Sequence, residues 1–580
     1  MSSHKHPRIA LVAVDLRWED ETGYFAPFSY AAYKLEAAIR EREEFAHIET
    51  KVFELVTRDA QVFFDALVEF EPTLVAASTY LWSLPTFVKL AKMLEQHDPS
   101  IRFVMGGPSA RRSMLDLAPY REDARHIDGV VFGDGEVVMR QLAHHHLDDD
   151  WRDKIPGLNY KTSLGWRSTG ELGRPILDDY LTPYHLGTQP PGKMGFFETY
   201  RGCPIACAFC QWGDERADRV HTREYLAGML HHLDASGVKD VFCLDAALNL
   251  SPRAFRALLA AEREVGALAK RRLQSHLYPL MLKDEHYEFI ELVGDFQASI
   301  GIQSLDPGVL EILGRPFEPK RFETAIASMR KAGTLDMEVI MGLPRDNPKS
   351  FRETFKKTVD IADNVRVFWC LALPDALLER TEEFDLEFDP KTLMVTSCNG
   401  WSYEDMRREW DFMLELGGGS ERFHYGPNWL GFTTPRGSER SLLRRQRLER
   451  EGIDDELPLT DEAERDAGPI VVEWRMPGKV SERLDARLGG RGWALRGARH
   501  QRGVLLLELG SPGGGVVLEA VPLRPGQPSF YPYQGVAYSY RGDIEPGDLD
   551  GLRGIIELIH DDVGPQVPGA ASGQTASAPV

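Results

Sequence analysis

At 580 residues the chain is too long for a single hydrophobic core and should divide into about three or four domains. Hydrophobic residues make up 43% and charged residues 27%, the composition of a globular protein that keeps its surface in water. The 68 Lys and Arg against 89 Asp and Glu leave a formal charge of −21, with no basic run dense enough to track a phosphate backbone, which argues against a nucleic-acid partner.

The opening stretch MSSHKHPRIALVAVDL lacks the long apolar segment and small-residue cleavage site of a secretory signal, and no stretch reaches the ~18 apolar residues of a membrane span. A cytoplasmic location without a membrane partner is therefore expected, and reduced thiols fit that compartment. Residues 8–16 read as a short apolar strand, and residues 28–43 carry helical spacing through Tyr30, Tyr33, Leu35 and Ile39. The alternation continues with a strand at 52–56, a helix at 60–70, a strand at 73–78, a helix at 84–97, and strands at 102–105 and 129–132. It predicts an α/β fold for residues 1–146: a doubly wound, Rossmann-like parallel sheet with helices on both faces. The ligand crevice of such a sheet lies at the carboxyl ends of its strands, where Ser78, Thr79 and Tyr80, then Gly106-Gly107-Pro108, then Gly133-Asp134-Gly135-Glu136 fall. Glycine there lets backbone approach a large flat ligand closely, although each turn taken singly is also what plain turn chemistry gives. The triplet His144, His145 and His146 reads as solvated surface, and residues 147–192, mixed in Pro, Gly and charge, read as a connecting strap.

Cys203, Cys207 and Cys210 follow at the spacing C-x3-C-x2-C, whereas Cys243, Cys370 and Cys398 are scattered singly and are expected to be inert buried thiols. Three clustered thiols suit neither a disulfide, which needs an even count, nor a structural zinc site, which is normally closed by four ligands. A four-iron cluster held by three cysteines would keep one iron open; a zinc loop with a distant fourth ligand is the alternative. Strands are expected at 196–200, 241–244, 271–277, 296–302, 336–341 and 366–371, each followed by helical sequence, as six β/α repeats over 193–386. In barrels built this way chemistry sits at the carboxyl ends of the strands. That rule selects Asp245 and Asn249, then Gln303 in Ile300-Gly301-Ile302-Gln303-Ser304-Leu305-Asp306, then Gly342-Leu343-Pro344, then Leu371 in Leu371-Ala372-Leu373-Pro374.

Residues 387–563 read as a small mixed α+β region. Its aromatics Trp401, Tyr403, Trp410, Tyr425 and Trp429 either wall a cavity over the barrel mouth or form ordinary core. A basic amphipathic helix is expected at 440–450 and strands at 470–474 and 504–507; residues 564–580, almost without large apolar side chains, are expected to be disordered.

The cysteine loop, with Phe209 before its third cysteine, resembles the signature of the radical S-adenosylmethionine enzymes. The succession Ser78-Thr79-Tyr80-Leu81-Trp82-Ser83, Gly106-Gly107-Pro108 and Gly133-Asp134-Gly135-Glu136 ahead of it resembles the cobalamin-binding domain of their cobalamin-dependent branch. The resemblance implies that the six repeats form a partial (β/α)6 barrel. It implies a [4Fe-4S] cluster on Cys203, Cys207 and Cys210, the catalytic and metal-ligating residues, with S-adenosylmethionine on the open iron and a 5′-deoxyadenosyl radical as the reactive species. Cobalamin, working as methylcobalamin, would meet Ser78, Thr79, Tyr80, Trp82, Gly106, Gly107, Pro108, Gly133, Gly135 and Glu136. The motif D-x-H-x-x-G is absent, so no histidine from it reaches cobalt, and Tyr80 or Trp82 would stand near the lower face of the corrin. By the same resemblance Asp245 and Asn249 read the amino or carboxylate end of S-adenosylmethionine, with helix capping the alternative at Asn249. Gln303 would meet ribose or substrate, and Phe209 and Leu371 adenine. The implied activity is radical C-methyltransfer to an unactivated carbon of a natural-product or peptide substrate, with an external electron donor such as flavodoxin or ferredoxin. A cobalamin-dependent cyclase, rearrangement or ring-contraction enzyme without methyl transfer stays open, as does a non-catalytic cobalamin or iron-sulfur sensor.

Overall fold

A computed structural model describes residues 6–15, 28–172, 174–214, 219–417, 429–433, 488–501, 504–511, 514–522, 531–533, 536–542 and 549–563. Its first sheet has seven strands, β1 (Arg8–Val14), β2 (Glu49–Leu55), β3 (Leu74–Ser78), β4 (Arg102–Gly106), β5 (Gly129–Val131), β6 (Leu158–Thr162) and β7 (Gly165–Ser168), in the order β2-β1-β3-β4-β5-β6-β7. Strands β1 to β5 pair in parallel. Side chains alternate across this sheet into two separate apolar layers. Ala10, Val12, Val75 and Phe103 pack with Phe63, Phe87 and Leu90 on one face, while Ile9, Leu11, Leu74 and Val104 pack with Ile39, Val138 and Leu142 on the other. Strand β3 is buried at every residue, as a strand covered on both faces must be. The order 2-1-3-4-5 changes direction between β1 and β3, which places the crevice at the carboxyl ends of those strands.

Two expectations need correction. Part of the strap at 147–192 is sheet: β6 and β7 form a hairpin that extends the first sheet antiparallel from β5. Their half-exposed residues suit an edge, and Gly165, at φ 106, makes the turn. The histidine triplet is not all surface, because His146 is buried, with its ring 2.9 Å from the Thr73 hydroxyl and 2.7 Å from the Leu142 carbonyl.

The second sheet carries the six repeats. Strands β8 (Gly195–Phe197), β11 (Asp240–Cys243), β12 (Arg272–His276), β13 (Asp295–Gln303), β14 (Thr334–Met341) and β15 (Asn364–Trp369) pair in parallel in chain order. Between the first two, β9 (Tyr200–Arg201) and β10 (Arg219–Val220) make a short antiparallel pair, so the strand expected at 196–200 ends at Phe197. Beyond the sixth repeat lie the small pair β16 (Glu387–Phe388) and β17 (Val395–Ser397) and then β18 (Trp429–Thr433), which folds back antiparallel onto β15. Trp429 therefore belongs to the barrel edge. Trp401 and Trp410 are both buried, in the core rather than on a cavity wall. Helices on the outer face open on good caps: Thr222 accepts from the Tyr225 amide, and Asn347 from the Lys349 and Ser350 amides.

The remaining described residues form an antiparallel sheet of β19 (Ala494–Gln501), β20 (Val504–Ser511), β21 (Gly514–Pro522), β22 (Tyr531–Tyr533) and β23 (Val536–Gly542), in the order β19-β20-β21-β23-β22. The helix Leu549–Val563 covers it through Leu552, Ile555, Ile556 and Ile559. Tyr425, the helix at 440–450, the strand at 470–474 and the tail at 564–580 lie outside the described residues. Among the described residues no helix is long and apolar enough to cross a membrane.

Candidate active site at the junction of two domains

The cysteine loop hangs from the β9–β10 pair, and its bend is set by a buried carboxylate. Asp245, at the end of β11, accepts the Thr199 amide at 2.7 Å and the Thr199 hydroxyl at 2.5 Å. Burial pushes its carboxyl up to about 6, against the pull of those hydrogen bonds. Asn249 exchanges two 2.8 Å hydrogen bonds with the backbone of Tyr278. Asp245 and Asn249, expected to face S-adenosylmethionine, thus spend their polar atoms on the loop and on the segment after β12.

Within the loop, Cys207 is buried while Cys203 and Cys210 are partly exposed, and burial pushes the Cys210 thiol up to about 11. The Ala208 amide donates to the Leu313 carbonyl at 2.8 Å, and Gly314, at φ 69, packs so closely that a Cβ would stand 2.9 Å from the Ala206 oxygen. This contact brings in Arg315, which donates Nη1 to Cys207 Sγ at 3.6 Å and Nη2 to the Gly301 carbonyl, its guanidinium lying 5.2 Å from the Tyr278 ring centre. Among the described residues no three His, Cys, Asp or Glu side chains converge as ligands of one metal ion. A cubane asks for something else, since each thiolate takes a different iron. Phe209, expected at adenine, is buried in the barrel core. Cys243, Cys370 and Cys398 are buried, as expected.

The inner face of the barrel is polar. Leu273, Ala298, Leu335, Met337, Val365 and Val367 point outward into the apolar layer, which turns His276, Glu338 and Arg366 inward. His276 Nε2 stands 3.6 Å from Glu338, and Arg366 reaches Glu338 at 3.1 Å and Asp336 at 3.5 Å. Gln303 ends β13 at φ 66 beside a register shift, with its side-chain oxygen buried and unbonded. Burial would raise the Glu338 carboxyl, yet the neighbouring His276 and the charge of Arg366 carry it down to about 2. Its stabilisation is therefore complete above the ordinary glutamate range and is lost as the pH falls towards 2. Glu338→Gln is expected to lower stability by on the order of 3 kcal/mol above the ordinary glutamate range and by progressively less as the pH falls towards 2, which flattens the acid limb of the curve measured by urea unfolding at stepped pH.

At the carboxyl ends of the first sheet the glycines serve backbone packing. Gly107, at φ 107, leaves room for the Thr79 carbonyl, which a Cβ would approach to 2.6 Å, and the Thr79 amide donates to the Gly106 carbonyl at 2.7 Å. Ser78 and Thr79 are buried, and the Thr79 hydroxyl donates to the Ala77 carbonyl. Gly135 packs against Leu35, and the space beside Gly133 is taken by Leu172. These residues, expected at cobalamin, join neighbouring strands and helices, because the strand ends are drawn together tightly. Tyr80 and Trp82 remain half-buried at the rim, stacked with ring centres 4.5 Å apart and planes 10° from parallel.

The two domains meet at this rim. Gln211, the residue after the third clustered cysteine, donates Nε2 to the Pro108 carbonyl at 3.0 Å. Arg111 donates to Asp375 at 2.6 Å, and Leu371, expected at adenine, packs its side chain against the first domain's apolar layer. Glu136, expected at cobalamin, gives both carboxylate oxygens to Arg201. Burial works against its charge, but Arg201 and Lys34 bring the carboxyl down to about 2. Arg315, His276, Glu338, Gln211 and Lys34 carry no local signal in the sequence, since each meets its partner only through the tertiary fold.

Residues 197–358 match the family model of the radical SAM superfamily, and residues 43–143 that of the B12 binding domain. The chain is 27% identical over 357 residues to the cobalamin-dependent radical SAM methyltransferase TokK of Streptomyces tokunonensis, covering 56% of this chain and 51% of that protein. It is 28% identical over 360 residues to 2-(S-pantetheinyl)-carbapenam-3-carboxylate methyltransferase of Streptantibioticus cattleyicolor, again covering 56% and 51%. The chain spans about half the length of these curated relatives. Among solved structures, the cobalamin-dependent S-adenosylmethionine radical enzyme OxsB superposes with a TM-score of 0.54 at 14% identity, covering 71% of this chain and 67% of that one. The radical S-adenosylmethionine methyltransferase TsrM of Kitasatospora setae gives 0.50 at 19% identity, covering 65% and 76%. These two likenesses concern the fold.

Proposed function

We propose that the chain is a cobalamin-dependent radical S-adenosylmethionine enzyme, a C-methyltransferase acting on an unactivated carbon of a natural-product or peptide substrate; the two matching family models and the methyltransferase relatives support this reading. The observation that carries this reading is the Gln211–Pro108 hydrogen bond, which sets the cysteine loop against the strand-end crevice of the first domain.

The donor set fits the groups required. Cys203, Cys207 and Cys210 are three thiols on one loop, suited to three corners of a [4Fe-4S] cluster. The Tyr80–Trp82 stack offers a flat apolar surface for cobalamin at the switch of strand order, with no histidine reaching in from the missing motif. When bound, these groups supply one-electron cleavage of S-adenosylmethionine and a carrier for the methyl group. The protein's residues do the positioning. Arg315 offers a guanidinium fork to the methionyl carboxylate beside Cys207, and the unbonded oxygen of Gln303 accepts from a hydroxyl. His276 and Glu338 present hydrogen-bonding groups inside the barrel, and the apolar layer behind them keeps bulk water out. The reducing electron comes from a donor of the flavodoxin or ferredoxin class, in the cytoplasm.

Incubation with S-adenosylmethionine deuterated in its methyl group tests the reading. Product heavier by the label is the expected result, and turnover to unlabelled product would assign the chain to the cyclase or rearrangement class instead.

A further inference from the structure

Six charged side chains at the junction form one connected set with balanced charge. Lys34, Asp134 and Glu136 come from the first domain, and Glu198, Arg201 and Arg219 from the barrel side. Arg201 donates to Asp134 at 2.5 Å, to Glu136 at 2.5 and 3.1 Å, and to Glu198 at 2.8 and 2.9 Å. Arg219 donates to the second oxygen of Asp134, while Lys34 pairs with Glu198 and stands 3.7 Å from Glu136. The least covered of the six, Arg201, is 20% exposed.

The placement of the two arginines matters more than their number. Arg201 and Arg219 are cross-strand neighbours in the β9–β10 pair, the two stems from which the cysteine loop hangs. Both stems are thus gripped by one carboxylate, Asp134, with Glu136 two residues further along on the same rim. Asp134 and Glu136 follow β5, so the grip comes from the strand ends that form the crevice. A second tie, Gln211 to the Pro108 carbonyl, acts on the far side of the cysteines.

Stability is a weak reason for such a network, because desolvating several charges offsets most of their mutual attraction and apolar residues of similar volume often do as well. Geometry is a stronger one, since guanidinium–carboxylate pairs hold angle as well as distance. We infer that Asp134 and Glu136 are positioning residues that fix the cysteine loop relative to the cobalamin-side crevice, so that the site of radical generation and the methyl carrier keep a set separation. The inference rests on the proposed function for its consequence in turnover, but not for the tie itself.

The near-isosteric variants Asp134→Asn and Glu136→Gln test it in two ways. In the whole 580-residue chain as purified, hydrogen exchange over residues 202–210 is expected to rise about tenfold while residues 74–78 and 102–106 keep their protection. In protein reconstituted with iron, sulfide and cobalamin, the ratio of 5′-deoxyadenosine to methylated product is expected to rise by a similar factor, because a displaced loop still cleaves S-adenosylmethionine but misses the transfer. Unchanged loop exchange would overturn the inference, as would exchange that rises equally in both regions, the mark of simple destabilisation. An unchanged product ratio would overturn it too. If the unsubstituted protein yields no methylated product at all, the proposed function fails, and the exchange measurement alone decides the tie.

Discussion

Replacing Cys203, Cys207 and Cys210 together by alanine is expected to give a folded protein with no iron–sulfur absorption, no bound iron and no cleavage of S-adenosylmethionine. Thiolates are the usual ligands of such a cluster, and methyl groups offer no lone pair in their place. The fold should survive, because the loop is held by contacts the cysteines do not make: the Ala208–Leu313 hydrogen bond, the close packing of Gly314 on Ala206, and the arginines of both stems. Alanine at Cys243, Cys370 and Cys398 together is the matched control. Those thiols are buried, so that variant should lose some stability while retaining the chromophore. Iron analysis and the visible spectrum read both variants, and iron retained by the first would break the assignment of the cluster.

The fold was legible because its signals are local. Buried runs such as Leu74–Ser78 alternate with helical stretches of period 3.6, and that alternation leaves few arrangements other than a doubly wound sheet and a β/α barrel. The cysteine triad could be nominated as a ligand set because its three thiols sit within one loop. What sequence could not show is which partner a strand-end residue takes. Gly107 reads the same whether its missing Cβ admits a corrin or the carbonyl of Thr79, and the choice is made by a strand 28 residues earlier. Glu136 reads as a ligand-side acid until Arg201, 65 residues on, is seen to take both its oxygens. Arg315 lies 108 residues from Cys207, and only the closing of the barrel brings them together. Polar residues after a parallel strand are thus easy to nominate and hard to assign, since the tertiary fold supplies buried partners that compete with any ligand.

Arg315 carries the second large effect. Arg315→Gln is expected to keep the cluster, with iron content and spectrum close to those of the parent protein, and to lower S-adenosylmethionine cleavage by about 30-fold to several thousand-fold, as the loss of one member of a buried charge pair at about 2–5 kcal/mol implies. The guanidinium is the one cation the described residues place at a cluster thiol, and its other arm is fixed by the Gly301 carbonyl in the bulged end of β13, two residues before Gln303. It is aimed by backbone and so is ready before any ligand arrives. Lysine should not rescue, because an ammonium cannot bond the Gly301 oxygen and present a fork to a carboxylate at once. Binding and chemistry separate the possibilities: weaker binding of S-adenosylmethionine to the intact cluster supports a role in holding its carboxylate, whereas unaltered binding with a displaced cluster potential would make Arg315 an electrostatic neighbour of Cys207 and remove it from the substrate site.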